Sequence, residues 1–357
     1  LNRGAAVLVG ILEMKDMNGN YLPVLKAYEE ILTFNGIPFT RLKVGQPDFW
    51  DRIARLDLFI MRWAHFDSDR QMALALLSVI EKQLGVKCYP DWNTSWHYDD
   101  KIRQWLFSKA LGFPMVQSYV FWDKEEALAW IEQAGFPLVF KLKTGASSSS
   151  VILVENREQA RKLVRRMFGK GIRPGTFFDP GIVRLQHFNL YKELHHLAGN
   201  LRRMAKGLDT SPWWQVEKNY VFFQDFLPGN DYDTRVTVIG DRAFAFRRMV
   251  RKNDFRASGS GMIDYDTGKV DRRCVEIAFR VSKKMRFQTM AYDFLFTPEM
   301  EPEFSEISYT FLSRPVYRCP GFWGPDLAWH DGHLWPEYLH LVDALDLPDL
   351  KMPELDY

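Results

Sequence analysis

The chain has 357 residues, 46% of them hydrophobic, with 47 Lys+Arg against 45 Asp+Glu. That length predicts two or three domains at about 100 to 200 residues each. The near balance of charge excludes a globally basic polyanion binder, so nucleic acid is not an expected partner and any basic patch is local.

Short apolar runs alternate with amphipathic segments over the first ninety or so residues. AAVLVGIL (5–12), FTRLKV (39–44), LDLFIM (56–61) and VKCYP (86–90) read as strands. YLPVLKAYEEILTFNG (21–36) reads as a helix with Pro23 in its first turn and Gly36 at its end, and 67–85 as a helix closed by Gly85. The βαβαβ order predicts a Rossmann-like parallel sheet covered by helices over 1–96. No GxGxxG follows the first strand, so no dinucleotide site is expected.

A second unit over 97–171 contains the helices 99–112, 123–135 and 156–171 and the strands 116–122, 137–143 and 150–154. Its last two strands flank KLKTGASSSSVILV (141–154), which reads either as a solvated Ser-rich hairpin tip or as something built for a ligand. Residues 172–216 form an irregular insertion with a helical centre. From 181 to 208 it carries five Lys/Arg, one acidic residue and His187, His195 and His196. Neighbours on a helix diverge by about 100°, so His195 and His196 make a poor metal pair. The third unit, 217–357, opens at Tyr220 with the strands 220–227, 233–240 and 242–250, read as antiparallel, followed by a helix over 270–285 and the strand pair 290–296 and 303–308. An aromatic run, RPVYRCPGFWGPDLAWHDGHLWPEY, follows; core packing or stacking on a sugar both suit it. Cys88, Cys274 and Cys319 match no zinc spacing and cannot all pair, which predicts reduced thiols and a cytoplasmic location. No apolar run reaches the ~18 residues of a membrane span, and no opening stretch reads as a signal peptide.

The strand pair carries the sharpest chemical signal. A turn centred between Glu299 and Met300 pairs residues whose numbers sum to 599, which places Asp293 opposite Glu306 on one sheet face. Like charges about 5 Å apart call for a cation or a shared proton between them. Hard carboxylate oxygens completed by water and phosphate are what Mg²⁺ takes. Arg235, Arg247, Arg248, Arg251 and Arg256 lie upstream on or beside adjacent strands. Alternation sends Arg247 and Arg248 to opposite faces, so only one of them can share the carboxylate face.

The order of these parts resembles the ATP-grasp superfamily, and within it the branch of ribosomal-protein glutamate ligases, with glutathione synthetases and D-alanine ligases further off. The resemblance covers about Asp100 to Ser308. It rests on Asp100-Lys101 opening a helix, the strand lysine of PLVFKLK, the strand VFFQDFLPG, the DTR segment, the RR followed by DFR, and a D…ExS pair where the family usually has D…ExN. It implies a mixed α/β (α+β) fold with a leading parallel α/β domain, a small central lid domain and a C-terminal antiparallel-sheet domain. The serine loop would then be the phosphate lid, with Ser147, Ser148 and Ser149 near the nucleotide. Small residues let backbone N–H groups approach phosphates, but the family has glycines where Ser148 and Ser150 stand, so lid closure is expected to differ.

Carried over residue by residue, the resemblance implies that Lys101 and Lys141 contact the α and β phosphates. Gln224, Asp225, Phe226 and Leu227 would hold adenine, with Asp231 or Asp233 near the ribose. Asp293 and Glu306 would bind Mg²⁺, of which the family uses two ions, and Ser308 replaces the expected asparagine ligand. The implied reaction is ATP-dependent amide formation from a carboxylate and an amine through an acyl phosphate, with Arg235, Arg248 and Arg256 steadying the transferred phosphoryl group. The basic insertion suits an acidic glycan or peptide acceptor, or a homo-oligomer interface. A phosphotransferase and a non-catalytic nucleotide-binding module are the alternatives.

Overall fold

A computed structural model of the chain describes residues 7–16, 18–63, 66–144, 151–172, 198–199, 201–202, 204–207, 216–250 and 261–356. In the first unit, β1 (Val9–Leu12), β2 (Phe39–Leu42), β3 (Leu58–Ile60) and β4 (Lys87–Tyr89) form a parallel sheet in the order β2-β1-β3-β4. Helices α1 (Pro23–Phe34), α2 (Phe49–Ile53) and α3 (Asp67–Ile80) connect its strands. Every residue of β1 and β3 is buried, as parallel strands covered on both faces require. Gly10 belongs to this packing, since a Cβ there would meet Leu56 Cδ1 at 2.3 Å.

The second unit contains α4 (Trp92–Ser95), α5 (Lys101–Leu111), β5 (Ser118–Phe121), α6 (Lys124–Ile131), β6 (Leu138–Lys141), β7 (Val151–Val154) and α7 (Arg157–Met167). Asp100, Asp123 and Asn156 cap α5, α6 and α7 with side-chain oxygens that accept from backbone N–H groups of the first turn. The sheet is antiparallel in the order β5-β8-β6-β7, where β8 is Val221–Asp225. This differs from the sequence reading, which grouped that strand with those after it. In YVFFQD the residues at 220–223 are all apolar, so alternation cannot choose a partner; the strand fills a central slot, with Phe223 packed on Phe140 and Trp130. The second unit is thus completed by chain that returns from beyond the 172–216 insertion.

The third unit is a seven-stranded sheet in the order β13-β12-β9-β10-β14-β15, with β11 also on β10. Its strands are β9 (Tyr232–Ile239), β10 (Arg242–Met249), β11 (Ile263–Asp264), β12 (Thr289–Phe296), β13 (Pro302–Ser308), β14 (Gly321–Trp323) and β15 (Trp329–Asp331). Helix α8 (Arg272–Met285) buries Cys274, Val275, Ala278 and Val281, and α9 (Ser313–Tyr317) and α10 (Pro336–Leu345) complete the unit. The aromatic run resolves as packing: it supplies β14 and β15, Trp323 and Trp335 are buried, and Tyr317 stacks on Trp335 with centroids 4.0 Å apart. A Cβ at Gly321 would lie 2.2 Å from the His330 carbonyl oxygen, so this hairpin needs glycine.

Helix α10 folds back on the first unit, where His340 Nδ1 and Tyr28 Oη are hydrogen-bonded at 2.8 Å and Asn35 bonds both the N–H and the C=O of Lys351. The C-terminal segment therefore closes onto the leading sheet as well as extending the last one. All three cysteines are buried free thiols. Among the described residues no helix is long and apolar enough to cross a membrane.

Candidate active site

Strand pairing aligns the charged side chains. Asp293 on β12 is opposite Glu306 on β13 and opposite Arg235 on β9, so three adjacent strands carry one charged row on one face. The Asp293–Glu306 pairing is the one expected, but the turn itself is registered one residue differently: Phe294, Leu295 and Phe296 pair with Phe304, Glu303 and Pro302, numbers that sum to 598. The bulge between Asp293 and Phe294 adds the residue that brings Glu306, in place of Ser305, opposite Asp293. Asp233, two residues before Arg235, pairs with Arg248 on β10 and joins the same face. Arg247 points the other way, bonding Asp264 at 2.6 Å with its guanidinium over the Tyr232 ring.

Within the row the ion pairs are tight. Arg235 grips Asp293 with two bonds of 2.7 and 2.8 Å, and Arg248 reaches Asp293 at 2.8 Å while its Nε donates to Asp233 at 2.7 Å. Burial opposes ionisation of Asp293, but the two guanidiniums overcome it and hold the carboxyl well below the usual carboxylate range. Arg248 is likewise buried, and the Asp293 and Asp233 carboxylates raise its pKa. Both oxygens of Asp233, the residue expected near a ribose, are bonded by Arg248, which ties it into the arginine cluster.

Two lysines from the second unit reach the same place. Lys101, the first residue of α5, has its Nζ 3.2 Å from Glu306 Oε1. Burial pulls its pKa down, but Glu306 and Asp99 outweigh that and the net shift is upward. Lys141, the last residue of β6, donates to Gln224 Oε1, and Gln224 Nε2 donates to Ser118 Oγ at 3.1 Å. Burial lowers the Lys141 pKa to about 8, against the opposing pull of Glu306. Gln224 thus orients a lysine through its side chain while its backbone pairs with Ser118 on β5 and Val139 on β6. The Asp225 backbone N–H is also taken, by Gln117 O at 2.9 Å, and burial pushes the Asp225 carboxyl up. Phe226 and Leu227 follow the strand end, half-buried, and the Leu227 carbonyl accepts from Asn230 Nδ2 at 3.2 Å.

Two positioning residues were missed from the sequence. Gln104 lies three residues after Lys101, on the same helical face, and its amide bonds the Ile307 carbonyl at 2.9 Å and the Ile307 N–H at 3.4 Å. That clamp sets α5 over β13, and therefore Lys101 over Glu306. Asn230 bonds the C=O and N–H of Phe296 at 2.9 and 2.8 Å, fastening the segment after β8 to β12. An Asn in the turn LPGNDY was the only signal available for it.

Four cations (Arg235, Arg248, Lys101, Lys141) face three carboxylates (Asp233, Asp293, Glu306), and Asp99 adds a further negative neighbour beside Lys101. Among the described residues no group of three His, Cys, Asp or Glu could hold a metal ion. The two strand carboxylates therefore fit a cation that draws most of its shell from phosphate and water, as Mg²⁺ does, and do not form a protein-only cage. The Glu306 side chain is 38% exposed and open to such an ion, whereas Asp293 is 12% exposed and already held by arginines. Ser308 Oγ donates to Thr310 O at 2.8 Å and accepts from Thr310 N–H at 3.1 Å, so its turn already uses the hydroxyl expected to bind metal. Ser147, Ser148, Ser149 and Arg256, and the insertion histidines His187, His195 and His196, lie outside the described residues.

No known family profile matches the chain, and no curated protein does. Solved structures do. D-alanyl-alanine synthetase A from Vibrio cholerae is 12% identical at a TM-score of 0.57, covering 95% of this chain and 97% of its own. Carboxyaminoimidazole ribonucleotide synthase from Aspergillus clavatus, complexed with ATP, is 13% identical at 0.54, covering 96% and 78%. A RimK domain ATP-grasp protein from Sphaerobacter thermophilus is 13% identical at 0.50, covering 87% and 95%. At such identities the likeness is one of fold, and the chain has the ATP-grasp fold.

Proposed function

We propose that this ATP-grasp chain is an ATP- and Mg²⁺-dependent ligase that joins a carboxylate to an amine. The observation that carries the reading is the row Arg235–Asp293–Glu306 across three strands, with Lys101 and Lys141 brought to its edge from another unit. Cationic side chains converging from two units are suited to a triphosphate, and the likeness to a synthase recorded with ATP supports nucleotide as the ligand.

In the proposed reaction a substrate carboxylate oxygen attacks the γ phosphorus, the bond to the β–γ bridging oxygen breaks, and ADP leaves. The amine nitrogen then attacks the acyl carbon, phosphate departs with the bonding electrons, and the amine loses a proton. Such chemistry needs positioning and charge neutralisation more than a protein nucleophile. Lys101 and Lys141 neutralise the phosphate chain as point charges; Arg235 and Arg248, held rigid by Asp293 and Asp233, present oriented N–H groups to the transferred phosphoryl. Glu306 and Asp293 would hold Mg²⁺, which when bound adds further charge neutralisation on the phosphates. The hinge 224–227 would take the adenine. Of its backbone groups, those of Phe226 and Leu227 lie past the last sheet pair of β8.

The test is a panel of carboxylates and amines incubated with Mg²⁺ and ATP, scored for ADP and phosphate and by mass spectrometry for a condensation product. A condensed product with release of both supports the reading. Phosphate retained on the acceptor would identify a phosphotransferase, and nucleotide binding with no turnover on any pair would leave a binding module.

A further inference from the structure

The parallel sheet of the first unit has the order β2-β1-β3-β4, so the order in which strands are added reverses between β1 and β3. Open parallel sheets bind ligands at such a switch point, beyond the carboxyl ends of the strands. Arg62 stands there, two residues past the end of β3. Its Nη1 and Nη2 donate to the carbonyls of Tyr309 and Phe311 at 3.2 and 3.4 Å, and its guanidinium lies over the Tyr309 ring at 5.3 Å from the centroid. A guanidinium has five N–H donors, and two carbonyls leave most of that capacity unused.

Among the described residues no carboxylate comes within ion-pair distance of Arg62. Glu337, the carboxylate that shares Tyr28 and Tyr89 with Arg62 as neighbours, is engaged by Ser313 Oγ. Every other arginine of the site described above has its own carboxylate. A part-buried cation with no counter-charge is costly unless an anion arrives to meet it.

The position also says which anion. Tyr309 and Phe311, which fix Arg62, continue the strand that carries Glu306, and three residues of extended chain separate Glu306 from Tyr309 by about 10 Å. A carboxylate on Arg62 is therefore too far from the phosphoryl end to be the one that reacts.

We propose that Arg62 anchors a second, non-reacting carboxylate of the substrate, so that the enzyme takes a small dicarboxylic acid. This rests on the ligase reading and names the substrate class for it. The test uses the whole chain with Mg²⁺ and a non-hydrolysable ATP analogue, titrated calorimetrically with straight-chain dicarboxylic acids and their monomethyl esters. At least one diacid binds, its monoester binds roughly 10- to 100-fold more weakly, the range of a charge-assisted bond, and Arg62→Met removes the discrimination while Arg62→Lys restores part of it. Arg62→Met keeps its affinity for the ATP analogue, which reports that the variant is folded. If no diacid binds while the analogue does, or if Arg62→Met discriminates diacid from ester as the wild type does, the assignment is wrong. Failure of the wild type to bind the analogue at all would instead overturn the ligase reading beneath it.

Discussion

Replacing Glu306 with Gln separates a role in metal binding from a role in folding. Among the described residues Glu306 has one ion pair, to Lys101 at 3.2 Å; its own side chain is 38% exposed, so solvent screens much of that attraction, and the buried Lys101 keeps Asp99 as a negative neighbour. Loss of a pair of this kind costs about 1 kcal/mol or less, a shift of ~2–4 °C in melting temperature for a domain of this size. Removing a charged oxygen from a Mg²⁺ site should instead weaken metal-dependent binding on the order of 10- to 100-fold, or ~1.4–2.8 kcal/mol. The assay is ATP affinity with and without Mg²⁺ by titration calorimetry, alongside thermal unfolding of the free protein. Wild type should bind ATP more tightly with Mg²⁺, and Glu306→Gln should lose most of that increment while its melting temperature barely moves. A variant that keeps the Mg²⁺ increment, or one that loses several kcal/mol of stability in step with binding, would refute the reasoning.

Asp293→Asn should behave in the opposite way: Arg235 and Arg248 lose a buried counter-charge, which costs roughly 3–5 kcal/mol, and chemical denaturation of the free protein should show it directly. The Lys141 pKa, lowered by burial to about 8 from the 10.5 of a free lysine, means that the unfolded chain binds more protons than the folded one between about pH 8 and 10.5. This residue therefore contributes stability that rises with pH through that window, whereas ATP affinity should fall as pH passes 8 and the charge is lost; Lys141→Met should flatten both dependences. Asn230→Ala strands the Phe296 N–H and C=O at 2.8 and 2.9 Å from their lost partner, so stability should drop by about 1–3 kcal/mol with ATP affinity also reduced.

The Asp293–Glu306 pair is legible in the sequence from a turn centred on 299/300, but the structure arrives at it differently: the pairs next to the turn sum to 598, and a bulge after Asp293, which leaves no trace in the pattern, brings Glu306 opposite it. Alternation likewise separates Arg247 from Arg248. What alternation cannot give is the identity of the neighbouring strand. Val221–Asp225, apolar at its first three positions, pairs with β5 and β6 for that reason, and nothing local in the sequence says so. The pairing of Asp233 is no easier to read: its partner Arg248 arrives from the next strand and engages both oxygens, a fact of pairing and not of motif. Gln104 and the C-terminal strands were illegible for a similar reason: an amide clamping a backbone 203 positions away, and a glycine pressed on a carbonyl, leave no periodic trace.

The central claim is that Asp293 and Glu306 meet across β12 and β13 to support a divalent ion under the nucleotide phosphates. A crystal structure with Mg²⁺ and a non-hydrolysable ATP analogue tests it most directly. The expected result is a Mg²⁺ at about 2.0–2.1 Å from an oxygen of Glu306, with Asp293 in the same coordination shell or one water removed, and Lys101 and Lys141 on the phosphates. A nucleotide bound elsewhere, with Glu306 still on Lys101 and Asp293 still held by Arg235 and Arg248, would contradict it.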